Sequence, residues 1–179
     1  MRFKNLRELV ELCERESKTI SSIMIQDQVE ESGQTEEEIV AAMNEYYQIM
    51  KTAVHKGLTE DIVSTSGLTG GDAKRVEAYR NRSETSVGDI ACQAMAYALA
   101  VSEVNASMGR IVATPTAGSC GIIPGVFVSA QERFGWKDEH LVRGLFCAGA
   151  IGYVIANNSF ISGAEGGCQA EVGSAIGMA

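Results

Sequence analysis

The apolar run GLFCAGAIGYVIA, at residues 144–156, decides the class of fold that the sequence predicts. It holds 13 residues without a charged side chain, whereas a membrane-spanning helix needs about 20. We therefore interpret it as part of a buried core helix over residues 138–156, with Asp138 as the predicted N-cap. The sequence predicts an all-α fold, a compact helical domain with at most a short extended piece at residues 111–113.

Apolar residues at helical spacing predict further helices on both sides of this run. Thr35 and Glu38 have the spacing of a capping box, which marks the start of a long helix. Asp72 is the predicted N-cap of a shorter one. The predicted helices occupy residues 5–16, 19–31, 35–57, 72–79, 89–107, 122–134 and 169–179.

The two parts of the chain differ in composition. Residues 1–60 contain 12 acidic and 7 basic residues and only two glycines, whereas residues 109–179 contain 13 of the 19 glycines. We expect residues 1–60 to form an N-terminal helical layer and residues 61–179 a buried, tightly packed, glycine-rich catalytic core of the same domain. The last helix reaches Ala179 without a glycine cap or a polar tail, so we expect the core to be truncated there.

Charge and cysteine content argue against a nucleic-acid-binding protein and against a secreted, disulfide-bonded protein. The net charge of −8 is spread along the chain, which argues against a nucleic-acid partner. Residues 1–16 are charged throughout and do not have the apolar centre of a signal peptide. Five widely spaced cysteines do not predict a disulfide framework. We expect a soluble, cytoplasmic protein without a membrane partner.

Three loops combine glycines with hydroxyl and amide side chains. We call them the Thr69 loop (residues 64–74), the Cys120 loop (residues 113–121) and the Cys168 loop (residues 157–168). Glycines let backbone N–H groups approach a small ligand, and a helix that begins after such a loop favours an anion. Each loop alone fits a turn or a cap, but the three together indicate a pocket for a small anionic metabolite.

Cys168 is the cysteine whose position most favours a chemical role. It follows Gly166 and Gly167 and precedes a predicted helix, where a thiolate is favoured. Cys120, in a comparable loop, is its rival. The other three lie on apolar helix faces and are interpreted as core residues: Cys13, Cys92 and Cys147.

General bases are scarce. His55 and His140 lie on helices rich in surface-type residues, so we expect both to be exposed and not catalytic. Glu165 is the better candidate base because it shares the Cys168 loop with Cys168. A helix-capping role for Glu165 is equally consistent with the sequence.

The loops resemble a known family, the iron–sulfur-dependent bacterial L-serine dehydratases (L-serine ammonia-lyases), in particular the α chain of the two-chain form. The resemblance covers nearly the whole chain. It is strongest in GLTGG at residues 67–71, TPTAGSCGI at residues 114–122 and ISGAEGGCQAEVG at residues 161–173.

The resemblance implies a [4Fe-4S] cluster held by three cysteines, with Cys168 as the first ligand and the others beyond residue 179. It implies deamination of L-serine to pyruvate and ammonia, without pyridoxal phosphate and with a separate β chain as partner. The Ser-x-Lys signature of the pyridoxal enzymes is absent from the sequence. The residues that would bind serine or shape the cavity are Thr69, Gly70, Gly71, Ser162 and Gly163.

Two other functions remain open. A cysteine desulfidase of the related iron–sulfur family would eliminate sulfide in place of water. A non-catalytic binding or assembly module would use the same loops as caps and turns. The sequence alone does not choose between serine and cysteine as substrate.

Overall fold

Nine α-helices occupy residues 1–82 and 84–179, the residues that the computed structural model describes, and no strand occurs in these two ranges. The prediction of an all-α fold is confirmed, and residues 109–113 are irregular. The helices are α1 (Leu6–Glu16), α2 (Ile20–Ser32), α3 (Glu36–Thr59), α4 (Asp72–Arg80), α5 (Asp89–Ala106), α6 (Ile122–Phe134), α7 (Asp138–Asn158), α8 (Gly163–Gly166) and α9 (Cys168–Met178).

The first three helices begin where the sequence places a capping side chain. The predicted capping box at α3 is confirmed. The Glu38 amide donates to Thr35 Oγ1 (3.2 Å), and the Thr35 amide donates to Glu38 Oε2 (2.9 Å). The Asn5 side chain caps α1 by accepting from the Glu8 amide, and the Thr19 side chain caps α2 by accepting from the Ser22 amide. These bonds satisfy amides that have no partner within the helix.

The predicted cap at Asp72 is wrong. Gly71, with φ +77°, is the N-cap of α4, and Asp72 is the first residue of the helix. The amides of Asp72 and Ala73 donate to Glu103 Oε1 of α5, at 2.5 Å and 3.3 Å. Because the buried Glu103 carboxylate satisfies the first amides of α4, a local side-chain cap is unnecessary.

The predicted cap at Asp138 is also wrong, since Lys137 is the N-cap of α7. The Asp138 carboxylate instead accepts hydrogen bonds from Gln131 (2.6 Å), Gln48 (2.7 Å) and Lys51 (3.0 Å). It therefore ties the start of α7 to α3 and α6. Long-range donors outcompete the local amides here, which no local sequence pattern reveals.

Asp138 predicts a pH dependence of stability. Its hydrogen bonds from Gln131, then from Gln48 and Lys51, hold the carboxyl pKa below its usual 3.8, although burial opposes them. The lowered pKa means that the folded state favours the carboxylate. The stabilisation is therefore present above about pH 4 and is lost as pH falls through the folded pKa.

We expect Asp138→Asn to lower the free energy of unfolding by about 1 kcal/mol at pH 7, since partial exposure weakens the network. The difference from the unmodified chain should shrink below about pH 4. Urea unfolding at a series of pH values measures it. A difference that stays constant down to pH 3 would contradict this assignment.

The core forms around α5, whose small side chains allow close approach of neighbouring helices. α5 packs against α3, α4 and α6. Gly57 of α3 lies against the backbone of Ala100, and Gly121 and Gly125, at the start of α6, lie against the α5 backbone at Ala98 and Ala94. A Cβ at any of these glycines would meet backbone atoms, so glycine sets the distance between these helices.

The apolar run that opens the sequence analysis lies in α7, which packs against α2, α3 and α9. Its buried residues are Leu141, Val142, Leu145, Phe146, Ala148, Ala150 and Val154. By length and composition α7 also passes as a membrane span, with a mean hydropathy of 1.2 over 18 residues, but core helices pass the same test. Its packing identifies it as a core helix.

One expectation about the second part of the chain is wrong. Residues 164–169 are exposed, not buried and tightly packed. Glycine and alanine offer little apolar area whose burial would stabilise the fold. The segment predicted as one loop, residues 157–168, also contains the end of α7 and the whole of α8.

Candidate functional site

Cys168 is the first residue of α9 and is exposed. It follows Gly167, which has φ +79° and is the N-cap of the helix without a side-chain hydrogen bond. Glycine adopts this left-handed conformation without the strain that a side chain would bring. The turn thus presents the Cys168 thiol at the N-terminal end of an eleven-residue helix, as the sequence predicts.

Cys120 differs from Cys168 in its surroundings. Its side chain is fully buried, and burial raises the pKa of the Cys120 thiol to about 11. A buried thiol that stays protonated near neutral pH is a poor nucleophile. The structure therefore places Cys120 in the core, together with Cys92, while Cys13 and Cys147 are partly buried on their helices.

This difference predicts the order in which iodoacetamide modifies the two thiols at pH 8. Cys168 should react within minutes in the folded protein, because it is exposed. Cys120 should react only on unfolding, because it is buried and remains protonated at this pH. Peptide mapping by mass spectrometry after short labelling measures both. Comparable rates at the two positions in folded protein would contradict the structure.

Glu171 brings the Cys120 loop and the Cys168 loop together. Thr116 Oγ1 donates a hydrogen bond to Glu171 Oε1. A Cβ built at Gly118 would lie 2.5 Å from Glu171 Oε1, and one at Gly163 would lie 2.8 Å from Oε2. The carboxylate therefore fills the space between two loops whose glycines leave room for it.

The hydroxyls of the Cys120 loop continue from this contact. Thr116 Oγ1 lies 3.1 Å from Ser119 Oγ, and Ser119 Oγ donates to the Thr114 carbonyl (3.1 Å). The peptide bond between Thr114 and Pro115 is cis. Thr114 Oγ1 is buried and has no hydrogen-bond partner in the described residues. The hydroxyl groups of Thr116 and Ser119 thus form a chain of hydrogen bonds that links Glu171 to the Thr114 carbonyl.

Glu165, the candidate base, lies on the exposed side of the Cys168 loop. Its amide donates to Ser162 Oγ (3.3 Å), and that hydroxyl donates to Glu165 Oε2 (3.2 Å). Ser162 is the N-cap of α8, so in this structure Ser162 and Glu165 satisfy the first turn of that short helix. Gly163, next in the chain, faces Glu171.

The Thr69 loop is closed on itself. The Thr69 amide donates to Ser64 Oγ (3.1 Å), and the Ser64 amide donates to the Thr69 carbonyl (2.9 Å). Gly70 lies against the Ile62 carbonyl, where a Cβ would be 2.3 Å from the oxygen. Gly71 then begins α4. Close backbone approach explains Gly70, and a positive φ of +77° explains Gly71, so neither glycine requires a ligand.

The end of α5 links the Thr69 loop to the Cys120 loop. The Thr65 amide donates to the Ala106 carbonyl (3.0 Å), and Asn105 Nδ2 donates to the Ala117 carbonyl (2.9 Å). Among the described residues, no hydrogen bond joins residues 69–71 directly to Ser162 or Gly163. The structure therefore brings two of the three predicted loops into contact, and the third is connected through α5.

An apolar cavity of about 510 Å³ lies behind the Cys120 loop. Its lining is mainly aliphatic and includes Met50, Ile111, Leu145 and Met178, with Arg110 and Thr114 as polar members. Serine is a small zwitterion with an ammonium and a carboxylate group, so a mainly apolar cavity does not match it. The site candidates are therefore the loops themselves.

The described residues alone do not form a metal site. They contain no group of three or more His, Cys, Asp or Glu side chains that could hold a metal ion. One exposed thiol at Cys168 fits one ligand position of an iron–sulfur cluster. Both His55 and His140 are exposed on their helices, as predicted, and lie on α3 and α7.

Comparisons with known proteins match the part of the chain that contains the three loops. A family described as "Serine dehydratase alpha chain" matches residues 15–179. A protein of Bacillus subtilis (strain 168) named "Probable L-serine dehydratase, alpha chain" is 46% identical over 177 residues. The "L-serine dehydratase, alpha chain" of Peptoniphilus asaccharolyticus is 40% identical over 173 residues. The "L-serine dehydratase TdcG" of Escherichia coli (strain K12) is 35% identical over 188 residues.

The matches cover nearly all of this chain but only part of each relative. The alignments cover 99%, 97% and 99% of this chain, respectively, but 59%, 59% and 40% of those relatives. The chain thus spans about three fifths of the α-chain relatives and less of the longer protein. Since the family match includes all three loops and Glu171, the chain belongs to the serine dehydratase alpha chain family.

Proposed function

We propose that this chain is part of the α chain of an iron–sulfur-dependent L-serine ammonia-lyase of the cytoplasm, which converts L-serine to pyruvate and ammonia. The observation that carries the proposal is the contact between the Cys120 loop and the Cys168 loop through Glu171. It joins two family motifs beside one exposed thiol. Two α-chain relatives carry the name of this activity.

Cys168 is the proposed ligand from this chain to a [4Fe-4S] cluster. The other cysteines of the chain are buried or lie on helices α1 and α7, so the remaining ligands would come from outside these 179 residues. A bound cluster with one open iron supplies a Lewis acid for a hydroxyl leaving group. No pyridoxal phosphate is part of this proposal.

The chain's own residues would bind and orient serine. Backbone N–H groups at Gly70 and Gly71, and those of Ser162 and Gly163, are suited to a carboxylate without a buried counter-charge. Thr69 would contribute its hydroxyl, because its amide donates to Ser64 Oγ. A base must remove the α-proton while hydroxide leaves. The resulting aminoacrylate tautomerises to an imine, which water hydrolyses to pyruvate and ammonia. Glu165 remains the proposed base of this chain. To act as a base, its carboxylate must give up the hydrogen bond from Ser162 Oγ and face the α-proton of the substrate.

A β chain is the proposed partner, because two relatives are named as α chains. Its contribution to the site would explain why this chain offers few groups that act as a base near neutral pH. Substrate and partner are both proposed from the relatives' names and from the loop chemistry.

The test is an anaerobic assay on the full-length natural protein, co-expressed with a candidate β chain and reconstituted with iron and sulfide. Serine-dependent pyruvate with about four irons per αβ pair supports the proposal. Sulfide released from cysteine, without pyruvate from serine, indicates a desulfidase. Well-folded protein that holds no iron and forms no pyruvate indicates a binding or assembly module and removes the special role of Cys168.

A further inference from the structure

The Glu171 carboxylate interacts with a distant loop and not with the terminus of its own helix. Glu171 lies in the first turn of α9, where an acidic residue commonly interacts with its own helix terminus. Its carboxylate instead receives the hydroxyl of Thr116, which is 55 residues earlier in the chain. One carboxylate therefore holds two segments that are distant in sequence.

Two glycines, one on each side, leave room for the Glu171 carboxylate. Gly118 of the Cys120 loop faces Oε1, and Gly163 of the Cys168 loop faces Oε2. A Cβ at Gly163 would also lie 3.9 Å from the Cα of Cys168. The Glu171 carboxylate and the backbone of Cys168 thus border the same small region.

We propose that Glu171 is a positioning residue that fixes the Cys168 thiol relative to the hydroxyls of Thr116 and Ser119. A charge-assisted hydrogen bond to Thr116 keeps the two loops in one arrangement, and the glycines allow the carboxylate to lie between them. The loop contact is independent of the reaction. Its catalytic consequence rests on the proposed function, because the positioned groups would then belong to the serine site.

The experiment uses three test variants and one control variant of the full-length natural protein. It measures amide hydrogen exchange at residues 116–121 and 162–168. Thr116→Val keeps the shape of the side chain and removes the hydroxyl, whereas Thr116→Ser keeps the hydroxyl and removes the methyl group. Glu171→Ala removes the acceptor. Glu11→Ala, at an exposed position on α1, is the matched control.

We expect exchange at both loops to rise about tenfold or more in Glu171→Ala and Thr116→Val, because loss of a bond to a charged group favours local opening by that factor. Thr116→Ser and Glu11→Ala should exchange as the unmodified protein does. If Thr116→Ser behaves like Thr116→Val, packing of the methyl group holds the loops. If Glu171→Ala leaves both loops protected, the carboxylate does not hold them. Either result overturns the inference.

A second readout separates this inference from the proposed function. In protein that forms pyruvate, Glu171→Ala should lower kcat by about 100-fold while iron content is retained, since a displacement of about 1 Å has that effect. Unchanged kcat and unchanged exchange would overturn the inference and leave the dehydratase proposal intact. Lost loop protection in protein that never forms pyruvate would support the inference and remove the proposed function.

Discussion

Replacing Gly57 with alanine is expected to lower the free energy of unfolding by about 3 kcal/mol, because α3 and α5 leave no room for a Cβ. A Cβ at Gly57 would lie 2.4 Å from the Ala100 carbonyl oxygen and 2.5 Å from the Ala100 Cα. Both are backbone atoms, so relief requires the two helices to separate. α5 also packs against α4 and α6, and that movement would disturb both contacts.

Urea unfolding followed by circular dichroism measures this effect, with Gly149→Ala as the matched control. Gly149 also lies inside a helix, α7, and a Cβ there meets nothing within 4 Å. The control should therefore be as stable as the unmodified chain or more stable by up to about 1 kcal/mol, from helix propensity alone. Equal effects of the two substitutions would show that the α3–α5 distance does not depend on Gly57.

The helices were predictable from the sequence because their signals are local. Apolar spacing and the Thr35–Glu38 capping box determine where α3 begins, and both lie within a few residues of that point. The errors at Asp72 and Asp138 have one cause. Each helix start is held by partners from another helix, Glu103 in one case and Gln131 with α3 residues in the other. No local pattern reports such partners.

The site was predictable where a single segment determines it. The position of Cys168 at the start of α9 follows from the two glycines before it, which the sequence displays. Its exposure was not predicted, because the composition indicated a buried second part of the chain. The burial of Cys120 does not follow from its loop, because it depends on how the core packs around that residue. This is why the two cysteines remained rivals until the structure separated them.

Sequence reasoning did not single out Glu171, although a signal was available. After residue 144 the only charged residues are Glu165 and Glu171, and Glu171 follows Cys168 by three residues on one helix. That spacing places both on one face of α9. What the sequence could not supply is the partner, Thr116, because the contact depends on how α6, α7 and α9 pack.

Under the proposed function, substituting Cys168 with serine is expected to abolish pyruvate formation in the full-length protein with the proposed β chain and to lower the iron content. An alcohol oxygen is a far weaker iron ligand than a thiolate, so a cluster that depends on this position would be lost or incomplete. Iron and acid-labile sulfide analysis, the visible spectrum and the anaerobic pyruvate assay measure the outcome. The change is nearly isosteric at an exposed helix start, so the fold should be retained.

Cys13→Ser makes the same chemical change on α1, where the thiol is partly buried and distant in sequence from the three loops. It should leave iron content and turnover intact, which would show that the effect at Cys168 belongs to its position. Full iron and normal turnover in Cys168→Ser would instead exclude this thiol as a ligand. The exposed turn after Gly167 would then serve only to begin α9, and the cluster ligands would all lie outside this chain's 179 residues.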